Sequence, residues 1–386
     1  MIVVWLAVFL AASALAWLSS LGYLFFLEGI RLFRRRPERE PAVWPAIAVV
    51  VPTLNEEEKI PAKLEDLRRC DYPADKIRLV VVDGGSSDRT AEIVLKEAGS
   101  GERLQLVPLP HARGKADQVR SVLERLTEDI VVFTDADSRL DPSCVRELVA
   151  EIAGGRAVSL AAAVVTPDTS LLEERIHWMF LNRLWWLEGE VLSCSGLSGV
   201  CYALKRTSFL TLDAEARAED IRLGAMAGAK GMKAVLARKA RAVELRVPGT
   251  KEEFLDFRRR RGSCYLAELL RTSKGKMRSK AWRLARSVRI WQMAGLPWAL
   301  AAALLSGAVL LATRFRTCPP AVFAWFPLTA YLYALALSKR EIPRASPFGL
   351  AIALVRYAAL LFVSLFRLRK NPAGQGPRGG GFLPAS

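Results

Sequence analysis

Four short apolar runs, Ile47 to Val51, Leu79 to Val82, Leu104 to Leu109 and Ile130 to Phe133, alternate with stretches of helical periodicity, and this alternation constrains the fold more than any other feature. Runs of largely β-branched residues that stop at Pro52 or at Asp83-Gly84-Gly85 read as buried parallel strands. Between them, Glu56 to Arg69 has the spacing of a helix, Ser87 to Thr90 can cap another through Glu97, and a third runs to Leu126. The resulting β-α-β-α-β-α-β order predicts an open, mostly parallel α/β sheet with helices on both faces. Ligands of such sheets bind outside the carboxyl ends of the strands.

The polar residues fall at those ends. Thr53 and Asn55 follow the first strand, Asp83 the second, the basic turn His111-Ala-Arg-Gly-Lys115 the third, and Thr134-Asp-Ala-Asp-Ser138 the fourth. Asp135 and Asp137, if extended, project to the same side and can hold one hard cation. Mg2+ or Mn2+ bound by one or two carboxylates and completed by phosphate oxygens suits a diphosphate, with Arg113 and Lys115 adding positive charge. Taken alone, Asp-Ala-Asp reads first as a turn in which Asp137 or Asp141 caps a helix near Pro142. The apolar strand before it and the ligand-type residues at three other strand ends favour the cation.

Six scattered cysteines without a Cys-x-x-Cys pair, and only two histidines, exclude a disulfide scaffold and a zinc centre and read as reduced thiols in the cytosol. The net charge of +17 is distributed for a membrane surface. Arg31, Arg34, Arg35 and Arg36 directly follow the uncharged run Ile2 to Leu27, and the basic stretch Arg258 to Arg289 precedes another apolar run. No nucleic-acid recognition element is present, so no nucleic-acid partner is expected. With no basic residue ahead of Ile2, residues 1–28 read as an uncleaved transmembrane anchor with its N-terminus outside. A cytosolic domain over 41–280 follows, and the protein is expected in a cell membrane, read as prokaryotic. Two further spans are expected at Ile290 to Thr313 and Cys318 to Ser338. Ala345 to Phe366 carries Arg356 at its centre, which leaves open whether it crosses the bilayer or lies in the interface. Together these make a transmembrane and interfacial region over 290–366. The basic residues Arg367, Arg369 and Lys370 then lead into a Gly- and Pro-rich tail, 371–386, expected to be disordered. Trp178, Trp185 and Trp186, with His177, sit in a helical stretch and read as packing residues.

In order along the chain, Val50-Val-Pro-Thr-Leu-Asn-Glu56, Val81-Val-Asp-Gly-Gly-Ser-Ser-Asp88, Gly114-Lys-Ala116, Phe133-Thr-Asp-Ala-Asp-Ser138 and Glu219-Asp220 resemble the motif series of family-2 inverting glycosyltransferases with the GT-A fold. The resemblance covers Ile47 to Gly262. It implies that Pro52, Thr53, Asn55 and Glu56 line a nucleotide pocket with Lys115 on the donor, that Asp83 binds the base, usually uracil, and that Asp135 contacts the sugar or ribose. Asp137 would bind the metal, and Asp220 would be the catalytic base with Glu219 beside it on the acceptor side. Ser195-Gly-Leu-Ser-Gly199 resembles the acceptor loop, where Gly196 and Gly199 let backbone approach the sugar. Arg258 and Arg261 match the Arg-x-x-Arg form of ceramide-type glucosyltransferases and would pair with the leaving diphosphate. Gly262 stands where polysaccharide synthases carry tryptophan.

Three or four spans are few for threading a polymer. The implied activity is therefore metal-dependent, inverting transfer from a nucleotide-sugar, UDP-linked, to a membrane lipid or lipid-linked acceptor at the cytosolic face. A processive polysaccharide synthase of the same family and a membrane-bound nucleotidyltransferase remain as alternatives.

Overall fold

The computed structural model describes residues 2–34, 40–99, 103–154, 157–272, 278–312, 318–342 and 345–367. Helices α1 (Ile2–Trp17) and α2 (Tyr23–Leu32), joined by one π-helical turn at Leu18–Gly22, form a 31-residue apolar helix. Its last third belongs to the globular core, because Tyr23, Leu24 and Leu27 are buried there.

Strands β1 (Ile47–Thr53), β2 (Ile77–Asp83), β3 (Leu104–Pro108) and β4 (Ile130–Thr134) form where β-branched density is highest. Helices α3 (Ile60–Arg68), α4 (Thr90–Ala98) and α5 (Lys115–Leu123) connect them. Helix α3 starts four residues later than its periodicity predicts. Asn55 takes the left-handed conformation with φ 55°, Glu56 to Lys59 form a turn, and Pro61 suits the first turn of the helix. After β5 (Ser138–Leu140) come α6 (Cys144–Ala153), β6 (Val158–Pro167), α7 (Leu172–Val191), β7 (Cys201–Lys205), α8 (Glu219–Ala229) and β8 (Lys233–Glu244).

The eight strands make one sheet in the order β3-β2-β1-β4-β7-β6-β8-β5. It is parallel from β3 to β4, as the alternation predicts, and again between β6 and β8. Strand β7 runs antiparallel to both neighbours, and β5 antiparallel to β8. Val49, Val50, Val51, Val131, Val132 and Phe133 are fully buried at its centre, and the Phe133 ring stacks on Tyr202.

Helix α9 (Lys251–Arg271) begins in a capping box of Thr250 and Glu253. Helices α10 (Lys280–Ala294) and α11 (Leu296–Ala312) meet at Gly295 with a 47° bend, where Pro297 brings no N–H to the helix ladder. The run expected as one span from Ile290 is thus broken near its start. Helix α12 (Cys318–Glu341) and α13 (Pro347–Arg367) complete the chain, and α1 packs along α11. Arg356 on α13 is not an unpaired charge: its Nε lies 2.7 Å from Glu173 Oε1, a buried carboxylate on α7. Tyr357 meets His177 Nδ1 at 3.1 Å beside it, so α13 docks on α7 and α9. Among the described residues, Ile2–Leu32 is the one helix long and apolar enough to cross a bilayer, and the α10–α11 pair a second if taken as one bent span. Arg35, Arg36, Thr313, Arg369, Lys370 and the tail 371–386 lie outside the described residues.

Candidate functional site

The parallel half of the sheet brings the first two strand ends into register, since Thr53 pairs with Asp83. Thr53 is buried. Its hydroxyl donates to Val82 O at 3.1 Å, and its carbonyl accepts from Gly84 N at 2.9 Å and from the Gln118 amide at 3.1 Å. Asn55 ties the first loop to the second, accepting Ser87 N at 2.8 Å on Oδ1 and donating its own N–H to Ser86 Oγ at 2.9 Å. The Asp83 carboxylate turns into the same loop, where Oδ2 accepts Gly85 N at 3.2 Å and Ser86 N at 3.0 Å and Oδ1 accepts the Ser86 hydroxyl. Pro52 continues β1 opposite Val82.

The acidic stretch is a turn between β4 and β5, not an extended segment, so Asp135 and Asp137 face different cations. Lys115, the first residue of α5, places Nζ 2.5 Å from Asp135 Oδ1, 2.9 Å from Glu219 Oε1 and 3.1 Å from Gly199 O. Arg246 places Nε 3.0 Å from Asp137 Oδ2 and Nη2 2.7 Å from Glu56 Oε1. Asp141, not Asp137, makes the turn into α6, accepting Ser143 N at 3.0 Å. The antiparallel strands complete the convergence. Thr134 pairs with Cys201, which brings the loop before β7 against the turn through Asp135 N to Val200 O at 3.0 Å. Ser138 pairs with Glu244, which brings the end of β8 to its other side through Leu245 N to Asp137 O at 3.2 Å.

Glu219 and Asp220 open α8, and the Asp220 carboxylate accepts its neighbour Ile221 N at 2.8 Å. A Cβ added at Gly199 would lie 3.4 Å from Asp220 Oδ2, Glu219 Oε1 and Lys115 Nζ alike. The four residues therefore share one small space. Burial, then the adjacent Glu219 charge, pushes the Asp220 carboxyl up to about 7, with Lys115 opposing. For Glu219, burial pushes up but the Lys115 ammonium outweighs it, and the group stays below its ordinary value. Burial and the Asp137 charge raise Asp135 to about 6 against the pull of Lys115. Lys115, held by two carboxylates, rises well above the usual lysine range although burial alone would lower it.

The two arginines expected on the diphosphate part company. Arg261 reaches Glu244 Oε1 at 2.8 Å, with half its side chain exposed. Arg258 turns into the interior, where it pairs with buried Glu174, itself held by Trp178 Nε1 at 3.0 Å. Residues three apart on a helix share a face, so the split comes from what that face meets: Glu174 of α7 at Arg258 and Glu244 at the end of β8 at Arg261. Gly262 lies within α9, and the aromatic beside the loop is Tyr265, which a Cβ at Gly196 would overlap.

Three site residues escaped the sequence reading. Lys63 is fully buried beneath the turn, donating to Ser138 Oγ at 2.8 Å and Thr134 Oγ1 at 3.3 Å, and burial lowers its pKa. Its signal was present, because Ile60, Lys63, Leu64 and Leu67 fall on one helical stripe. Arg246 is the first cation past the end of β8, but that strand was not read. Glu188, buried on α7, accepts Ser195 N and Ser195 Oγ at 2.7 Å and Tyr23 OH at 3.2 Å, linking the N-terminal helix to the loop before β7.

Among the described residues, no three His, Cys, Asp or Glu side chains cluster as an all-protein cation cage. The donor set nonetheless fits a hard divalent ion that takes most of its ligands from phosphate and water. Asp137 and Asp135 are oxygen donors close enough for the Asp137 charge to act on Asp135, and Asp137 shares a cation with Glu56 through Arg246.

The sequence pattern described as glycosyl transferase family 2 matches residues 48–206, and that of glycosyl transferase family group 2 matches residues 130–338. The probable glycosyltransferase YdaM of Bacillus subtilis is 26% identical over 239 residues, 56% of this chain and 56% of that protein. The beta-monoglucosyldiacylglycerol synthase of Synechocystis sp. is 28% identical over 134 residues, 32% of this chain and 28% of that protein. The chain spans about half the length of the curated relatives it matches. Among solved structures, mannosyltransferase PcManGT from Pyrobaculum calidifontis, in complex with GDP-Man and Mn2+, aligns with a TM-score of 0.66 at 25% identity over 92% of this chain and 97% of that one.

Proposed function

Since the chain belongs to glycosyltransferase family 2, we propose that it transfers a sugar, with inversion, from a nucleotide-sugar to a lipid or lipid-linked acceptor at a membrane surface. The observation that carries this reading is the shared space of Asp220, Glu219, Gly199 and Lys115 at the carboxyl edge of the sheet, with Asp135 on the same ammonium. A carboxyl poised at about 7 is half ionised at neutral pH, which suits a base that takes the proton of an attacking hydroxyl. Asp220 Oδ2 faces the loop carrying Gly199, so the acceptor hydroxyl enters between loop and carboxylate.

On the donor side, Asp83 and Asn55 border the base pocket with Pro52, Thr53 and Glu56, while Asp135 and Lys115 stand towards the sugar. Asp137 and Asp135 would hold the Mg2+ or Mn2+ ion, which supplies charge neutralisation for the departing diphosphate. Arg261, exposed beside Glu244, is the arginine available to the same phosphates. Arg258 acts at one remove, fixing α9 on α7 through Glu174. The donor is read as a UDP-sugar from the motif series. A GDP-sugar is the second reading, favoured by the GDP-Man complex of the Pyrobaculum structure.

The membrane setting rests on the apolar helix Ile2–Leu32 and on the Synechocystis relative, whose name gives a diacylglycerol product. The test measures turnover of UDP- and GDP-sugars with Mn2+ by the full chain in detergent, alongside Asp220→Asn. The variant is expected to lose roughly 10²- to 10⁴-fold in transfer while still being stabilised by donor in a thermal shift. Wild-type transfer rates in Asp220→Asn would remove it as the base, and nucleotide transfer with pyrophosphate release would reassign the chain to the nucleotidyltransferases.

A further inference from the structure

We propose that Arg31, Arg183 and Arg238, gathered around Trp186, form a cradle for the phosphate of an anionic phospholipid headgroup, separate from the transfer site. Their guanidinium carbons lie 4.9, 4.5 and 4.8 Å from the centre of the Trp186 indole, and they come from three different elements, α2, α7 and β8. Each can stack on an aromatic face. Two of the three, Arg31 and Arg183, share the single carboxylate of Glu28, and the positive charge left over attracts an anion.

The scaffold is built to bring them there. In the β6–β8 ladder the register passes from Ala163 opposite Ala237 directly to Val164 opposite Arg241, so Arg238, Lys239 and Ala240 form a bulge outside the pairing. Ala240 turns inward and is fully buried, whereas Arg238 and Lys239 are exposed. Bulges commonly re-aim a side chain in this way. Glu28 accepts both Nε and Nη2 of Arg183, with Nε at 2.6 Å, and stands 3.5 Å from Arg31 Nε, while Tyr333 OH donates to the same oxygen at 3.3 Å. One carboxylate thus orients two guanidiniums without matching their charge. Arg34 is held nearby on Val191 O at 3.0 Å. Glu190 lies one turn along α7 from Trp186.

Location selects the ligand. Arg31 lies at the end of the 31-residue apolar helix, followed by Leu32 and Phe33, whose side chains are 70% and 91% exposed. Basic and aromatic side chains at the end of an apolar helix occupy the headgroup layer, where anionic lipid phosphates are concentrated. The cradle rests on the membrane reading proposed above and adds a fixed headgroup site to it.

The full chain is exchanged into nanodiscs of phosphatidylcholine with or without phosphatidylglycerol, and the retained lipid is counted by mass spectrometry. Phosphatidylglycerol is expected to be enriched over the supplied ratio, and Arg238→Gln to reduce that enrichment roughly five-fold. Arg125→Gln, an exposed arginine on the α5–β4 connection, should leave it unchanged. Equal retention of the two lipids, or an equal loss in Arg125→Gln, would overturn the cradle. Carbonate extraction separates this from failure of the membrane reading. A chain stripped from the membrane sinks both, while a chain that stays embedded without enrichment sinks the cradle alone.

Discussion

At the residue scale, the site is a charge balance held by two cations. Lys115 neutralises Asp135 and Glu219, and Arg246 spans Asp137 and Glu56. Burial raises the Asp220 pKa, the Glu219 charge adds to the rise, and Lys115, shared with Asp135 and Glu219, only partly opposes it. Two outcomes follow from that. Activity of the wild-type chain should rise with pH through about 7 as Asp220 ionises, and the rise should be absent from the residual activity of Asp220→Asn, read as a pH profile of kcat/KM. The same raised pKa has a stability consequence. A carboxyl harder to ionise when folded contributes stability that is present below its unfolded value near 4 and lost as pH rises through about 7. Asp220→Asn should therefore raise Tm at pH 8 and leave it nearly unchanged at pH 4. Arg246→Gln should free Asp137 and Glu56, so Mn2+ is expected to bind the donor-free chain more tightly by calorimetry; weaker binding would mean that Arg246 helps to build the ion's site.

At the element scale, loops are positioned by buried polar contacts more than by their own sequence. Lys63 on α3 supports the acidic turn from below through Ser138 and Thr134. Burying a charge is costly, and burial already disfavours the Lys63 ammonium, so Lys63→Met should keep or raise Tm. Donor affinity should fall, because Ser138 and Thr134 lose the ammonium that fixes them; unchanged affinity in calorimetry would make Lys63 purely structural. Gly196 sits under Tyr265 of α9, and Gly196→Ala must displace the ring. Overpacking of this kind costs about 1–3 kcal/mol, read as a fall in the denaturant midpoint, and Tyr265→Ala in the same chain should recover most of it.

At the scale of the whole molecule, the sheet and the apolar helices share buried contacts. Trp282 of α10 is fully buried against Gly228 of α8, Arg356 of α13 meets buried Glu173, and Tyr23 of α2 reaches Glu188 behind the loop before β7. The expected domain boundary at 280 falls two residues before Trp282. A fragment of 41–280 loses all three contacts, and losing a buried tryptophan alone costs about 3–5 kcal/mol. It should give a broad, non-cooperative melt, whereas the full chain in detergent melts sharply. A sharp melt of the fragment would show that the apolar helices are only an anchor.

The sequence by itself determined the parallel half of the sheet, since buried strands and their polar ends are written in local runs of residues. It determined the residues at four strand ends for the same reason. The tertiary structure decided what those residues face. Strands β5, β6 and β8 pair across long sequence distances, and β8 delivers Arg246 to the acidic turn through contacts that no local pattern encodes. The depth at which α9 lies, packed on α7 and α13, buries Arg258 and leaves Arg261 half exposed beside Glu244. A charge in an apolar run, as at Arg356, reads as unpaired until packing supplies its carboxylate from a helix nearly two hundred residues earlier. Local patterns fix which atoms are offered at each strand end, but electrostatic partners depend on distance in space, and only packing sets that.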